Sequence, residues 1–417
     1  MKTLKALVAK YNAASLILRI LVGLLVGVVL ALVVPGAGWV EEFGNLFVGA
    51  LKGIAPVLVF VIVASALAQG TSKLDRRFGT VIWLYMLTTF LAAAIAVITS
   101  FLFPQTIVLA EAAESEVVPQ GLGEVLSTLL TNFVANPISA LLNGNYIGIL
   151  FWACLFGLAM KKYGAESTKV FLANTADAVS QIVRWIINLA PFGIMGLVYT
   201  NVVNNGLSIF TQYGRLLALL VGTMLFMALV VSPFIIFLYL HCNPYPLVFR
   251  CLRESGLTAF FTRSSAANIP VNMALCEKLS LDKDMYSVSI PLGATINMDG
   301  AAITITIMTL AAANTLGLQV SLPAAILLSV MSALGACGAS GVAGGSLLLI
   351  PMACSLFGIS NDIAMQVVGV GFIIGVVQDS VETALNSAGD VEFAATAEYH
   401  QWRKAGKPLP EFLGGKK

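Results

Sequence analysis

Five polar residues near the end of the chain repeat at helical spacing. They are Asp379, Glu382, Thr383, Asn386 and Asp390. Steps of three and four residues place them on one face of a helix. On such a face a carboxylate can bind an ammonium group or a metal cation, and the hydroxyl and amide groups can supply further ligands.

A serine-rich segment is expected to lie opposite this face. Its free backbone amides and hydroxyl groups, around Ser264 and Ser265, can hold a carboxylate, because the N-terminus of a helix carries a positive partial charge. An acid that binds an ammonium group and amides that bind a carboxylate together indicate an amino-acid site.

The acids of this region lack a nearby counter-charge. A fourth acid, Asp299, follows Asn297, and no lysine or arginine occurs between Lys283 and Arg403. An ionised carboxylate in the middle of a membrane costs on the order of 2.5–3.5 kcal/mol. We therefore expect a bound cation, and sodium suits the hard oxygen ligands available. The alternative is that the acids pair with Arg263 or with protonated neighbours.

The composition excludes a water-soluble globular protein. Of the 417 residues, 58% are hydrophobic and 11% are charged, against roughly 45–50% and about 25% in soluble domains. A net charge of +2 gives no basic field for nucleic acid. Six cysteines without CxxC spacing and two histidines disfavour disulfide frameworks and zinc or haem sites, so no cofactor is expected.

The apolar runs predict an all-α polytopic membrane protein with eight crossings. The first run also resembles a signal peptide, but its length and the later spans favour a retained helix. Lysines and arginines cluster after the even-numbered spans, which places both termini in the cytoplasm. The expected location is the inner membrane. The predicted spans are Leu16–Val34, Leu46–Ala68, Thr80–Phe103, Tyr146–Met160, Ile182–Val203, Leu216–Leu240, Tyr286–Ala312 and Ala364–Ala388.

Two apolar segments are too short on each side of a polar tip to cross twice. Glu254–Lys283 has its tip at 262–265, and Leu322–Phe357 has a glycine-rich tip at 335–346. Both indicate re-entrant hairpins, each followed by a span with a polar cluster. Such an inverted repeat is typical of a secondary transporter. The alternative is that the glycines only permit close helix packing, which explains Gly23 and Gly27 well.

These motifs resemble the dicarboxylate/amino acid:cation symporter family, which includes the glutamate transporters. The similar segments are Thr262–Ser265, Gly293–Gly300, Gly341–Gly345 and the face from Asp379 to Asp390. The resemblance implies a homotrimer in the lipid bilayer that moves an amino acid with sodium ions by alternating access. It also implies scaffold and trimerisation helices in residues 1–253 (with the third span contributing to the transport core), a transport core in 254–395 and a cytoplasmic tail in 396–417.

Site residues follow from the resemblance position by position. Asp379 is expected to bind the substrate ammonium, and Asn386 and the region of Ser265 its carboxylate. The full substrate set is Ser264, Ser265, Ala301, Val342, Gly345, Asp379, Glu382, Thr383 and Asn386. The three expected sodium sites are Gly293, Asn297, Asn386 and Asp390; Thr295 with hairpin carbonyls near Ala336, Cys337 and Ala339; and Tyr85, Thr88, Thr89, Asn297 and Asp299.

Spacing also favours the last of these sites. Tyr85, Thr88 and Thr89 lie at i, i+3 and i+4, so their hydroxyl groups face one side of a helix without charge. The competing interpretation is that threonines in membrane helices bond to their own backbone. Because Asp299 needs a partner, we expect it to bind sodium with these hydroxyls and Asn297.

Two departures from the glutamate-transporting branch predict the substrate. Glu382 stands where that branch has an arginine for the substrate's side-chain carboxylate, and Ala301 stands where it has a threonine. The expected substrates are small neutral amino acids, and the resemblance implies L-serine and L-threonine among them. The alternative is a sodium- or proton-coupled symporter of dicarboxylates or acidic amino acids. More remote alternatives are a channel and an intramembrane protease using Ser264 or Asp390; no enzyme activity is expected.

Overall fold

The computed structural model describes residues 14–69, 76–109, 134–339 and 344–415. Among them all regular secondary structure is helical, as the sequence predicts. The helices of the first half are α1 (Leu16–Val33), α2 (Glu41–Ala68), α3 (Arg76–Leu102), α4 (Pro137–Asn143), α5 (Tyr146–Tyr163), α6 (Glu166–Asn188), α7 (Ala190–Asn205), α8 (Ile209–Phe226) and α9 (Ser232–Leu240).

The second half contains shorter helices and one long one. They are α10 (Tyr245–Cys251), α11 (Leu257–Thr262), α12 (Ser265–Lys278), α13 (Lys283–Ile296), α14 (Asp299–Thr315), α15 (Leu322–Ala336), α16 (Ile350–Ser355) and α17 (Asn361–Lys404). Short π-helical segments join α8 to α9 and α10 to α11.

Several helical stretches are long and apolar enough to cross a membrane, as a polytopic membrane protein requires. Helices α6 and α7, bent by 53° at Leu189, form one further span if they are counted together. The sequence predicted one span over 182–203, which in the structure covers this bend. The described residues thus contain five long apolar stretches, or six with the bent pair, and the eight predicted crossings stay a prediction. The five stretches are Gly38–Ser65, Phe78–Leu102, Ile209–Leu240, Lys283–Thr315 and Asn361–Lys404.

Small residues bring helices of the first half into close contact. A Cβ atom at Gly23 of α1 would lie 2.1 Å from the Pro191 carbonyl oxygen of α7, and one at Gly27 would lie 2.5 Å from that of Met195. Only glycine permits this approach of two backbones. The outer side of α1 exposes large apolar side chains, including Leu25 and Leu32, so this helix offers them to lipid or to another chain.

The first predicted hairpin is a helix–turn–helix. Arg263, with φ 52°, ends α11 in the left-handed region, and the Ser264 hydroxyl accepts a hydrogen bond from the Ala267 amide at 3.2 Å to begin α12. A serine N-cap satisfies an otherwise unpaired amide of the first turn. Ser321 and Ser360 cap α15 and α17 in the same way. The tip therefore lies at the position predicted from the sequence.

The predicted span from Tyr286 to Ala312 is broken. Asn297 and Met298 leave the helical conformation between α13 and α14. The Met298 amide donates to the Thr89 hydroxyl of α3 at 3.3 Å instead of to a helix carbonyl. A polar partner from a neighbouring helix compensates for the lost backbone bond, which permits irregular backbone at membrane depth.

The centre of the molecule is built from α13, α14 and α17. In the most apolar window of Lys283–Thr315, 94% of the residues are buried, and the figure for Asn361–Lys404 is 83%. The second hairpin segment, α15 and α16 with a 3₁₀ turn at Ser346–Leu349, packs against α14 and α17. The polar face of α17 consequently lies inside the protein.

Candidate functional site

Asp379 is the first acid on the buried face of α17. Its Oδ2 atom accepts a hydrogen bond from the Arg263 Nε atom at 2.6 Å, and its Oδ1 atom accepts one from the Gly344 amide at 3.2 Å. Both side chains of the ion pair are buried. The alternative that an acid of this region pairs with Arg263 is therefore correct for Asp379, and the carboxylate joins the tips of both hairpin segments.

Glu382 lies one turn further along the same face. Its Oε2 atom accepts hydrogen bonds from the Thr304 hydroxyl at 2.7 Å, the Ser346 hydroxyl at 2.9 Å and the Gln378 Nε2 atom at 2.5 Å. These donors come from α14, from the second hairpin segment and from α17 itself. The Thr383 hydroxyl donates to the Asp379 carbonyl oxygen at 2.7 Å, so it bonds within its own helix.

Asp390 is the centre of a second polar group. Its Oδ1 atom accepts from the Asn297 Nδ2 atom at 3.0 Å, and the Tyr85 hydroxyl donates to its backbone carbonyl oxygen at 2.9 Å. Asn297 also donates to the Asn386 carbonyl oxygen at 3.0 Å. A Cβ atom at Gly293 would lie 2.6 Å from Asp390 Oδ1, so a larger residue there would displace the carboxylate. The structure thus brings these predicted sodium ligands together.

The interruption between helices α13 and α14 is stabilised by the same face of α17. The Asn386 Oδ1 atom accepts from the Gly300 amide at 2.7 Å. A Cβ atom at Gly300 would lie 2.8 Å from the Cα atom of Glu382. Helices α14 and α17 therefore approach each other more closely here than any larger residue would allow.

Asp299 lies against α3, as the third predicted sodium site requires. Its Oδ1 atom accepts from the Thr89 hydroxyl at 3.0 Å. The Thr88 hydroxyl instead donates to the Leu84 carbonyl oxygen of its own helix at 2.9 Å, and the Thr295 hydroxyl donates to its own helix at Leu292 in the same way. Thr89 therefore provides a direct hydrogen bond from α3 to Asp299.

Asp299 and Asp390 differ from Asp379 in their surroundings. Both residues are buried, and among the described residues neither carboxylate forms an ion pair. The Oδ1 atom of Asn297 is also buried and has no hydrogen-bond partner in the described part of the chain. Two buried carboxylates and an unpartnered amide oxygen fit a hard cation such as sodium, which takes oxygen ligands.

The other predicted ligands have simpler positions. Ser264 caps α12, Ser265 and Ala301 are buried, and Gly345 directly precedes the turn at Ser346. Val342 lies outside the described residues. The Cys337 Sγ atom lies 3.7 Å from the Ile296 carbonyl oxygen, so the end of α15 lies beside the interruption between α13 and α14. Ala336 and Ala339, close to this cysteine in sequence, are buried.

A buried amide cluster was missed by the sequence analysis. Asn268 donates to the Ser387 hydroxyl at 2.8 Å, and Asn272 donates to the Ser387 carbonyl oxygen at 3.1 Å and to Asp390 Oδ2 at 3.4 Å. Ser255, on the other arm of the first hairpin, bonds to Asn272. The spacing of Asn268 and Asn272 on α12 is a helical one and was an available signal, but their partners on α17, Ser387 and Asp390, are over a hundred residues away.

Comparison with known proteins decides the family. Residues 16–399 match the sodium:dicarboxylate symporter family. The chain belongs to this family. It is 75% identical over 416 residues, covering 100% of this chain and 97% of the relative, to the serine/threonine transporter SstT of Bifidobacterium adolescentis. It is also similar to the SstT proteins of Streptococcus agalactiae (59%, covering 95% of this chain and 98% of the relative) and Streptococcus thermophilus (55%, covering 96% and 100%).

Membership of a symporter family confirms the resemblance inferred from the motifs. It identifies the chain as a transporter rather than an enzyme, and the long apolar helices make it a multi-pass membrane protein.

Proposed function

We propose that this protein takes up L-serine and L-threonine together with sodium ions by alternating access. The observation that carries the proposal is the position of two carboxylates, Asp379 and Glu382, one turn apart on the buried face of α17. The first suits an ammonium group, and the second repels an acidic side chain. The relatives named serine/threonine transporter support the same substrates.

In this proposal the substrate replaces an internal partner. The Arg263 guanidinium, 2.6 Å from Asp379 Oδ2, occupies the position proposed for the substrate ammonium. A substrate amino group must therefore exchange with Arg263 on the carboxylate. The substrate carboxylate is assigned to Asn386 and to the amides and hydroxyls around Ser264 and Ser265. These lie at the N-terminus of α12, where an anion is favoured.

Sodium is assigned to Asp390 and Asp299, neither of which forms an ion pair with another described residue. One site consists of Asp390 with Gly293, Asn297 and Asn386. A second consists of Asp299 with Asn297 and the α3 hydroxyls, of which Thr89 has the direct contact. The third uses Thr295 and the carbonyl groups near Ala336, Cys337 and Ala339. Sodium binding provides the positive charge that buried carboxylates need.

The finer architecture is proposed with the function. Eight crossings and two re-entrant hairpins form an inverted repeat. Residues 1–253 form mainly the scaffold, with a contribution of α3 to the transport core. Residues 254–395 form that core, and 396–417 form a cytoplasmic tail. We place three copies in the inner membrane with both termini in the cytoplasm.

Uptake into proteoliposomes tests this proposal. With an inward sodium gradient, labelled L-serine accumulates above its external concentration, and the uptake disappears when choline replaces sodium. Unlabelled threonine competes, whereas aspartate does not, because Glu382 repels its side chain. Competition by aspartate equal to that by serine would overturn the substrate assignment, and uptake driven by a proton gradient alone would overturn the coupling ion.

A further inference from the structure

Three donors converge on one oxygen of Glu382. Gln378, Thr304 and Ser346 all bond to Oε2, and Gln378 also lies 2.7 Å from the Thr304 hydroxyl oxygen. Neither Gln378 nor Thr304 belongs to the motifs that carry the family resemblance. The group is nevertheless the most concentrated set of hydrogen bonds to any buried acid of the transport core.

The chemistry of the side chains determines which atom donates and which accepts in these hydrogen bonds. The Gln378 Nε2 atom has hydrogens but no free acceptor site, so both of its contacts must accept. Oε2 of Glu382 therefore acts as the acceptor in its contact with Gln378. The Ser346 hydroxyl has its contact with the same oxygen, so Oε2 is saturated. Among the described residues no hydrogen bond reaches Oε1.

Exposure distinguishes the acid from its partners. Gln378 and Thr304 have 0% of their surface exposed and Ser346 has 1%, whereas Glu382 keeps 5%. Among the four side chains, Glu382 is therefore the one that a ligand can touch without unpacking the cluster. No lysine, arginine or histidine of the described chain forms an ion pair with it.

We propose that Gln378 and Thr304 are positioning residues for substrate selection: they hold Oε2 of Glu382, so that Oε1 accepts the side-chain hydroxyl of the substrate. This inference rests on the proposed function and adds the source of its selectivity. A site that is built to hydrogen-bond a hydroxyl rejects the analogue that lacks it, because a buried polar group is then left unpaired. L-alanine, which is L-serine without the hydroxyl, is the informative competitor.

Ser346 connects this selection to the second hairpin segment. Its hydroxyl bonds to the same carboxylate oxygen as Gln378, and Gly344, two residues earlier, bonds to Asp379. The position of the hairpin and the orientation of Glu382 are therefore set together. When the substrate hydroxyl donates to Oε1 of Glu382, the other oxygen of the same carboxylate, Oε2, is already bonded to Ser346 of the second hairpin segment.

The decisive variant is Gln378→Met, which keeps the length of the side chain and removes the donor. In proteoliposomes with a sodium gradient we expect KM for L-serine to rise about tenfold, the effect of losing a hydrogen bond to a charged group. KM for L-alanine and the sodium concentration for half-maximal uptake stay within about twofold. Gln366→Met, about three turns earlier on α17, is the matched control. It should change neither KM value nor the sodium concentration for half-maximal uptake.

A second variant covers the case that Gln378→Met does not fold. Thr304→Val keeps the shape and removes the hydroxyl, and we expect a fall of the serine preference over alanine by about threefold. An equal loss for serine and alanine, or an unchanged ratio in the variants recovered, would show that the cluster only supports packing. A wild-type protein that does not prefer serine over alanine overturns the inference too. Absence of sodium-driven serine uptake in the wild type would instead refute the proposed function.

Discussion

The outer helices and the central helices solve the same problem of crossing a membrane in different ways. In Gly38–Ser65, Phe78–Leu102 and Ile209–Leu240, 44–50% of the residues of the most apolar window are buried, against 94% for Lys283–Thr315. The outer helices leave apolar side chains to the surroundings, although α3 also directs the buried Tyr85, Thr88 and Thr89 toward the centre. The central helices enclose acids and amides. Apolar composition therefore identifies the spans, but burial shows where the chemistry is.

The comparison predicts that the same substitution has very different effects in the two regions. Asp379→Asn should weaken serine binding by more than tenfold, because it removes the charge proposed to hold the ammonium group and leaves Arg263 unpaired in a buried position. Asp177→Asn on the exposed side of α6 should have no measurable effect. Binding of labelled serine at saturating sodium measures both. Equal effects would mean that Asp379 has a structural role only.

A second central acid should affect the ion more than the amino acid. We expect Asp390→Ala to raise the sodium concentration for half-maximal serine binding by more than tenfold, since the residue supplies a charged ligand of the proposed site. At saturating sodium the affinity for serine should recover. Titrations of binding against sodium provide the measurement, and a loss of serine affinity that sodium cannot restore contradicts the assignment.

A substitution at the contact between α14 and α3 should change the number of sodium ions moved with each substrate rather than the affinity for the substrate. Asp299→Ala removes the carboxylate that accepts from Thr89, so we expect fewer sodium ions to move with each substrate. Reversal potentials in proteoliposomes report this ratio. Thr89→Val serves as a milder version at the same contact, and an unchanged ratio in Asp299→Ala removes this residue from the proposed sodium ligands.

The smallest effects concern packing alone. Gly300→Ala places a Cβ atom 2.8 Å from the backbone of α17 and should cost about 1–3 kcal/mol, as overpacking does. Gly222→Ala, where no atom lies within 4 Å, should be neutral or stabilise α8 by up to about 1 kcal/mol. Thermal unfolding midpoints in detergent compare the pair, and similar midpoints would refute close packing at Gly300.

Local spacing predicted much of this arrangement. The steps between Asp379 and Asp390 indicated one helical face, and the tip at 262–265 indicated a turn between two short helices; the structure has both features. The break at Asn297 and Met298 was not placed, because it depends on the Thr89 hydroxyl of a distant helix.

Other features depend on pairings that spacing cannot show. Gln378 and Glu382 are four residues apart and were recognisable as a helical pair, whereas Thr304 is 78 residues from Glu382. The roles of Thr88 and Thr89 also differ only by rotation about α3, which directs one hydroxyl to its own backbone and the other to Asp299. Such differences follow from tertiary packing, and a single sequence does not encode them in any local pattern.

Helix α17 runs for 44 residues without a break, a length of about 66 Å, which is about twice the thickness of a hydrocarbon core. Asp379 and Asp390 lie on this one continuous helix, so the distance between the amino acid and the sodium ion assigned to them stays constant when the helix moves. From Asp390 the helix continues for about 21 Å to Lys404. A spectroscopic label near Lys404 would consequently register any tilt that displaces the buried ligands.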